Sequence, residues 1–313
     1  MPTILTLIGI LTLLLFLIGW YLFRLAICRK NIFGNKQIGE SITPTSYQLE
    51  RMLDGISWLD MQTVETVHSY SRKAESLSGK LILNPHSKNF VVLVHGYRSN
   101  PEHNFSYILQ KYYNMGYSIL MPIQRAHEGS DGKHITFGYH ESTDMFFWTR
   151  YLTTRFGQDI SIVFHGVSMG ASTVAMMNEL PLPKNIKCII ADCGYSSALG
   201  IFKYILKKDF GIPEFLTIPI LKTASIISEF TADFPFDECE PIEAVKQAKV
   251  PMLFIHGTAD KFVPCEMSLK MYEACSSEIK DLLLIEGAGH GMSYLTDTKT
   301  YENRLETFLV KVM

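Results

Sequence analysis

The pentapeptide Gly166-Val167-Ser168-Met169-Gly170 constrains this chain more than any other segment. Ahead of it, Ile160-Ser161-Ile162-Val163-Phe164-His165 has the makeup of a buried strand. Behind it, residues 169–180 carry apolar side chains at helical spacing. A strand that becomes a helix within so few residues must turn sharply, and the serine at the apex must accept a strained backbone. The flanking glycines fit that demand, because a side chain at either position would run into the strand or helix being joined. A strand feeding a packed helix is the unit of an α/β sheet.

Alone, a Gly-x-Ser-x-Gly run is a weak signal and context has to support it. Three more segments supply that context. Phe90-Val91-Val92-Leu93-Val94 reads as a second buried strand and ends in His95-Gly96-Tyr97. Val250–Ile255 leads into His256-Gly257-Thr258-Ala259-Asp260, and Asp281–Glu286 into Gly287-Ala288-Gly289-His290-Gly291. A hydroxyl, a carboxylate and an imidazole therefore sit at strand ends in the order Ser168, Asp260, His290. A serine hydroxyl is a poor nucleophile at neutral pH and needs a base within hydrogen-bond reach. An imidazole serves as that base when a carboxylate fixes its tautomer.

From about Val64 onward the chain resembles the α/β-hydrolases, and among them the bacterial membrane-anchored serine hydrolases of the esterase, lipase and peptidase-like group. The segments that carry the resemblance are His165–Gly170, Asp192–Ser197, Phe254–Pro264 and Gly287–His290. The resemblance implies a mainly parallel sheet with helices on both faces and a helical cap inserted after the sixth strand. It implies Ser168 as nucleophile, His290 as base, Asp260 as the orienting acid, and the backbone N–H groups of Tyr97 and Met169 as oxyanion donors. No metal or organic cofactor is needed for that chemistry. One segment departs from the wider family: where many relatives carry Asp-x-Arg-Gly-His-Gly-x-Ser, this chain has Gln124-Arg125-Ala126-His127-Glu128-Gly129-Ser130. The departure bears on the rim of the site rather than on the three catalytic candidates.

Alternation of patterns along the chain supports the same fold class. Residues 64–70 and 80–83 read as an antiparallel pair, with 71–79 as the turn. Strands then alternate with helices: strand 90–94, helix 104–115, strand 117–121, helix 144–156, strand 159–164, helix 169–180 and strand 186–191. Pro264 and Glu266 suit the first turn of a helix running to Cys275, and Asp297 is placed to cap the last helix. Between Tyr195 and Lys249 nothing reads as a strand; apolar residues such as Phe202, Leu206, Phe210 and Leu221 are broken by Pro213 and Pro219. That segment, 195–249, is the expected cap, with its apolar face lining an acyl pocket. The hydrolase core is then 62–194 completed by 250–313, with 24–61 as a juxtamembrane connector containing a short amphipathic helix over 46–59.

Ile4 to Phe23 is an uncharged apolar run of twenty residues, long enough to cross a hydrocarbon core. A cleaved signal peptide would want a basic stretch before a shorter run and a small-x-small site after it. Only Pro2 and Thr3 stand between Met1 and the run, and Arg24–Arg29 offers no such site. Residues 1–23 therefore read as a transmembrane anchor. Arg24, Arg29, Lys30 and Lys36 follow the span and no Lys or Arg precedes it, which points the catalytic domain to the cytoplasmic side. The five cysteines of the expected catalytic domain, Cys188, Cys193, Cys239, Cys265 and Cys275, are scattered and show no paired or metal-binding spacing. A net charge of −2 gives no basic field for nucleic acid. Oligomeric state is left open by the sequence.

Several residues near these motifs have quieter roles. His95, His165 and His256 end strands and are expected to support turns. Asp192 also ends a strand and competes with Asp260 as the acid, but Asp260 stands at the usual position after the seventh strand. Asp144 reads as a helix N-cap. The expected substrate is a carboxylic acyl ester, lipid-derived esters among them. A peptidase or amidase, a thioesterase and a non-catalytic binding protein are the alternatives. A peptidase would need an acidic group for the substrate amine, and Glu229, Asp233, Asp237, Glu238 and Glu240 are the candidates.

Overall fold

A computed structural model of the chain describes residues 2–29 and 44–313. Residues 30–43 of the expected connector (24–61) lie outside the described residues. Helix α1 (Pro2–Ala26) is followed, after the connector, by α2 (Ser46–Asp60). The α/β core begins with β1 (Val64–Tyr70), β2 (Ser76–Ile82), β3 (Asn89–Val94), α3 (Pro101–Asn114), β4 (Tyr117–Pro122) and α4 (Tyr139–Phe156). It continues with β5 (Ser161–Val167), α5 (Met169–Met176) and β6 (Ile186–Asp192). Three helices then interrupt the alternation: α6 (Ala198–Lys208), α7 (Glu214–Ala232) and α8 (Pro241–Val245). The chain closes with β7 (Met252–Gly257), α9 (Cys265–Ala274), β8 (Lys280–Ile285), α10 (Ser293–Thr296) and α11 (Thr298–Val312).

The strands form one eight-stranded sheet in the order β1-β2-β4-β3-β5-β6-β7-β8. The β1–β2 hairpin and the β2–β4 pair are antiparallel, and every pair from β4 to β8 is parallel. Strands covered on both faces must be apolar on both, which is why β3, β5, β6 and β7 read as continuous Val/Ile/Leu/Phe runs. On one face Phe105, Leu109, Tyr301 and Leu305 from α3 and α11 pack against them; on the other, Trp148, Leu152, Val174 and Met271 from α4, α5 and α9. Each such fully buried large side chain contributes about 1.5–3 kcal/mol.

Three element boundaries differ from the sequence expectation for identifiable reasons. Strand β2 starts at Ser76 rather than Lys80, and Tyr70 pairs with Ser76. Its serines and glycine mimic a turn, yet Gly79 is required there, because a Cβ would stand 2.9 Å from the Trp148 ring. Helix α3 starts at Pro101, with the Asn100 side chain accepting from the His103 N–H. Helix α4 starts at Tyr139, so Asp144 is not an N-cap. The Glu141 carboxylate accepts the Thr136 and Gly138 N–H groups at the helix start. Asp144 lies buried one turn further in, bound by two nitrogens of Arg125 at 2.7 and 2.6 Å.

Helix α1 is not a free-standing rod. Thr3 to Leu14 are exposed, but Gly19, Phe23, Leu25 and Ile27 are buried against the protein. A Cβ on Gly19 would meet the Thr223 side chain at 2.9 Å and the Ala224 N at 3.1 Å, so a glycine is what lets α1 lie against α7. Phe23 and Ile27 join Phe202, Leu206, Leu221 and Ala224 in a third hydrophobic cluster. Among the described residues two helices, spanning Thr3–Ala26 and Glu214–Ala232, are long and apolar enough to cross a membrane by length and composition.

Candidate active site

Strand β5 delivers Ser168 at the apex of the turn into α5, with φ 58° and ψ −120°. That backbone conformation is sparsely populated for a residue with a side chain and persists only where its surroundings enforce it. Here the enforcement is steric. A Cβ on Gly166 would lie 2.1 Å from the Gly170 carbonyl oxygen, and one on Gly170 would lie 1.9 Å from the Val94 carbonyl oxygen. The Ser168 N–H donates to the Asp192 carbonyl at 2.8 Å, which pins the turn to β6.

Ser168 Oγ lies 2.8 Å from His290 Nε2, and His290 Nδ1 lies 2.7 Å from Asp260 Oδ2. The arrangement assigns the Nδ1 proton to the Asp260 bond, leaving Nε2 to accept from the serine. Asp260 is over-determined. Its Oδ1 accepts the N–H groups of Phe262 and Val263 at 2.8 and 2.9 Å, and its Oδ2 is also 3.1 Å from His256 Nε2. Burial pushes the Asp260 carboxyl up, but the hydrogen bonds from His256 and His290 outweigh it and hold the group well below the usual carboxylate range. His256 thus supports the carboxylate rather than a turn alone.

Asp192 is directed elsewhere. Its Oδ2 accepts from the Tyr301 hydroxyl at 2.9 Å, and that hydroxyl is 3.2 Å from His165 Nε2. Burial pushes Asp192 up to about 6. Cys193 follows it, with ligand atoms of Cys193, Asp260 and His290 all within 4.8 Å of one another. Burial, then the neighbouring carboxylates, push the Cys193 thiol well above its ordinary value, and Asp260 and His290 are committed to each other.

Tyr97 and Met169 flank Ser168. Among the described residues neither backbone N–H has a protein acceptor. The turn carrying Tyr97 is held by residues the sequence reading did not single out. The Arg98 N–H donates to His127 Nε2 at 3.0 Å, while His127 Nδ1 donates to the Arg125 carbonyl at 2.9 Å. His127 belongs to the segment that departs from the family pattern, which was the available signal. Burial lowers the His127 pKa, so the neutral ring that this pair of bonds requires is favoured. His95 supports the same turn: its Nε2 accepts the Gln124 N–H at 3.0 Å and its Nδ1 lies 2.8 Å from the Gly96 carbonyl.

Arg98 and Tyr97 also reach the end of α1. The Tyr97 hydroxyl donates to the Ala26 carbonyl at 2.8 Å and accepts from Arg98 Nε at 2.7 Å. The Arg98 guanidinium donates further to the carbonyls of Leu25, Cys28 and Arg29 at 3.2, 2.7 and 3.1 Å. The carbonyls of Leu25 and Ala26 are among the orphan acceptors that a helix leaves at its C-terminus, and those of Cys28 and Arg29 lie just beyond it. Nothing in the local sequence of either segment announces that partnership.

Two cavities meet at Ser168. One, narrow and of about 70 Å³, is bordered by Leu22, Leu25, Phe202, Leu206, Leu221 and Phe236, with apolar side chains along its length. The other, about 200 Å³, is bordered by His290, Arg98, Ser99, His103 and Asn104. Among the described residues no Asp or Glu borders either one. Glu229 and Asp233 border a separate polar cavity with Arg29, Lys73 and Arg125. Asp237 and Glu238 are exposed, Glu240 is half-buried, and none of the three borders the cavities at the serine.

Known proteins resemble the chain at three levels. The sequence profile of the prolyl oligopeptidase family matches residues 132–313, more than half of the chain and the part holding Ser168, Asp260 and His290. The Bacillus subtilis (strain 168) protein YqkD is 26% identical over 226 residues, 72% of each chain. The alpha/beta hydrolase domain-containing protein 17C of Homo sapiens is 35% identical over only 71 residues, 23% of this chain and 20% of its own. Among solved structures, the Pyrococcus furiosus esterase Pf2001 superposes with a TM-score of 0.65 at 21% identity, covering 90% of this chain and 100% of its own. The Pyrococcus horikoshii acylaminoacyl peptidase does so with 0.57 at 20% identity, covering 82% of this chain and 42% of its own. At those identities the structural likeness speaks for the fold. Fold, profile match and strand-end chemistry agree: the chain belongs to the prolyl oligopeptidase family of the α/β-hydrolases and is a serine-type hydrolase.

Proposed function

We propose that this protein is a membrane-anchored serine esterase that cleaves carboxylic acyl esters through Ser168, His290 and Asp260. The observation that carries the reading is the 2.8 Å contact between Ser168 Oγ and His290 Nε2, with Ser168 bordering an apolar cavity. Ser168 Oγ attacks the ester carbonyl while His290 Nε2 takes its proton. The tetrahedral oxygen is met by the N–H groups of Tyr97 and Met169, each such donor being worth about 100- to 1,000-fold in rate. His290 returns the proton to the leaving alcohol oxygen. Water, deprotonated by the same imidazole, then splits the acyl-enzyme and releases the carboxylic acid. Asp260, held ionised, stabilises the imidazolium that forms twice per turnover. The chemistry calls for no metal or organic cofactor, and nucleic acid has no place in it.

Helices α6 and α7 act in this reading as a cap whose underside is the acyl pocket. Helix α1 acts as a retained anchor: cleavage within Arg24–Arg29 would remove the carbonyls that Arg98 and Tyr97 hold. The basic residues after the span support a catalytic domain on the cytoplasmic side. A second reading, hydrolysis of peptides or aminoacyl amides, draws on the family match and the peptidase neighbour. The absence of a carboxylate bordering either cavity, among the described residues, favours the ester. The deciding experiment uses the full chain in detergent, wild type beside Ser168→Ala. Fluorophosphonate labelling and p-nitrophenyl ester turnover that both vanish in the variant support the esterase. Turnover of aminoacyl amides above that of esters would shift the assignment to the peptidase.

A further inference from the structure

We infer that the acyl chain reaches Ser168 directly from the bilayer, through a mouth formed by α1 and the α6–α7 turn, and that the substrate is an acyl ester of a membrane glycerolipid. The inference rests on the serine esterase reading above and names the substrate of that site. Its starting point is that the narrow cavity is bordered by α1 itself. Leu22, Leu25 and Ala26 belong to the last two turns of a helix that is exposed from Thr3 to Leu14 and that, over Thr3–Ala26, is long and apolar enough to span a hydrocarbon core. The wall of the pocket and the anchor are one continuous helix.

The second part of the mouth is α7. Gly19 brings α1 against Thr223 and Ala224, and Arg29, three residues past the end of α1, borders the same polar cavity as Glu229 to Ala232 at the C-terminal end of α7. The first half of α7 therefore lies on the same side as the exposed, lipid-spanning stretch of α1. That half and the turn before it present Phe210, Phe215, Leu216 and Ile218, which are 44%, 74%, 40% and 58% exposed. Phe210 also borders the apolar cavity that Ser168 borders. Clustered exposed aromatics and aliphatics beside a membrane span form an interfacial wedge, of the kind that enters roughly 5–10 Å into the headgroup and acyl boundary. Lys203, Lys207 and Lys222, exposed around the wedge, meet anionic headgroups, and the Glu214 carboxylate limits its depth. An acyl chain in that leaflet reaches the pocket without crossing water. The more polar cleft on the other side of Ser168 is left for the glycerol-bearing leaving group.

The test uses full-length protein in vesicles of phosphatidylcholine and phosphatidylglycerol. The variant is Phe215→Asp with Ile218→Asp, two exposed positions outside the pocket and the catalytic array. Each protein is assayed on p-nitrophenyl butyrate in the aqueous phase and on 1-oleoylglycerol dispersed in the vesicles. The variant should keep butyrate turnover within about twofold and lose oleoylglycerol turnover tenfold or more. A nitroxide on Phe215→Cys should collide with oxygen more readily than with an aqueous nickel chelate. Unchanged oleoylglycerol turnover in the double variant, or a nitroxide as open to nickel as one in water, overturns the inference. A wild type that hydrolyses neither ester and takes no fluorophosphonate removes the esterase reading instead, and the substrate assignment with it.

Discussion

The Tyr97 hydroxyl donates to the carbonyl oxygen of Ala26 across 2.8 Å, joining the turn beside Ser168 to the last residue of the first helix. Through it and Arg98, the position of a backbone N–H next to Ser168 depends on a helix that starts 95 residues earlier in the chain, at Pro2 against Tyr97 (97 − 2).

Tyr97→Phe and Arg98→Ala keep the Tyr97 N–H but loosen what holds it. Each should lower kcat about five- to twentyfold with little change in KM, because the loss falls on oxyanion stabilisation rather than on binding. The double variant should cost little more than either one, since both act through the same clamp. Steady-state kinetics on p-nitrophenyl butyrate read the outcome; a rise in KM with unchanged kcat would assign the pair to substrate binding instead.

The two aspartates at strand ends should separate cleanly. Asp260→Asn should reduce kcat by about 1,000- to 10,000-fold, since it removes the acceptor that fixes His290. Asp192→Asn should stay within about fivefold, because its partner is Tyr301 and not His290. Equal losses in both variants would reassign the acid.

Asp192 also gives a pH signature. Its folded pKa, about 6, lies above the ordinary carboxylate value, so the folded state holds a proton that the unfolded chain releases. Stability from this group is present at low pH and lost as pH rises from about 4 through 6, by up to about 3 kcal/mol. The melting temperature of Asp192→Asn relative to wild type should therefore rise between pH 4.5 and pH 8. A difference that does not change with pH would show that Asp192 is not held protonated.

Pocket length is tested at Ile205, which borders the apolar cavity and is only half-buried. Ile205→Trp should shift the preferred p-nitrophenyl ester toward shorter chains by two carbons or more while sparing the acetate. An unmoved chain-length profile would place the acyl group elsewhere.

Gly170→Ala should fail to give stable protein, because its Cβ would sit 1.9 Å from the Val94 carbonyl oxygen with backbone on both sides. A loss above about 4 kcal/mol is expected for a clash of that kind, read as a collapsed melting transition.

The sheet and its alternation with helices were legible because strands buried on both faces must be apolar throughout, and β3, β5, β6 and β7 are. Strand β2 was half hidden, since Ser76, Ser78 and Gly79 look like turn residues until Trp148 is seen packed over the glycine. Asp144 was misread for a related reason. An Asp ahead of an apolar run suggests a cap, but a buried Arg125 nineteen residues away makes it an interior ion pair. At the site, local patterns located Ser168, Asp260 and His290 at strand ends, whereas Arg98 and His127 work through partners distant in sequence. Their bonds run to carbonyls and a backbone N–H, groups every residue carries, so no side-chain pattern points to Arg98, and His127 showed only as part of the segment that departs from the family pattern.

Because Leu22, Leu25 and Ala26 face the cavity while the same helix is exposed and apolar earlier in its course, that stretch of sequence answers to two masters at once. A borrowed membrane segment of equal length and hydropathy would deliver the domain to the bilayer and still leave the nucleophile without one of its walls. In evolution and in engineering alike, the address and the lock of this protein have to change together.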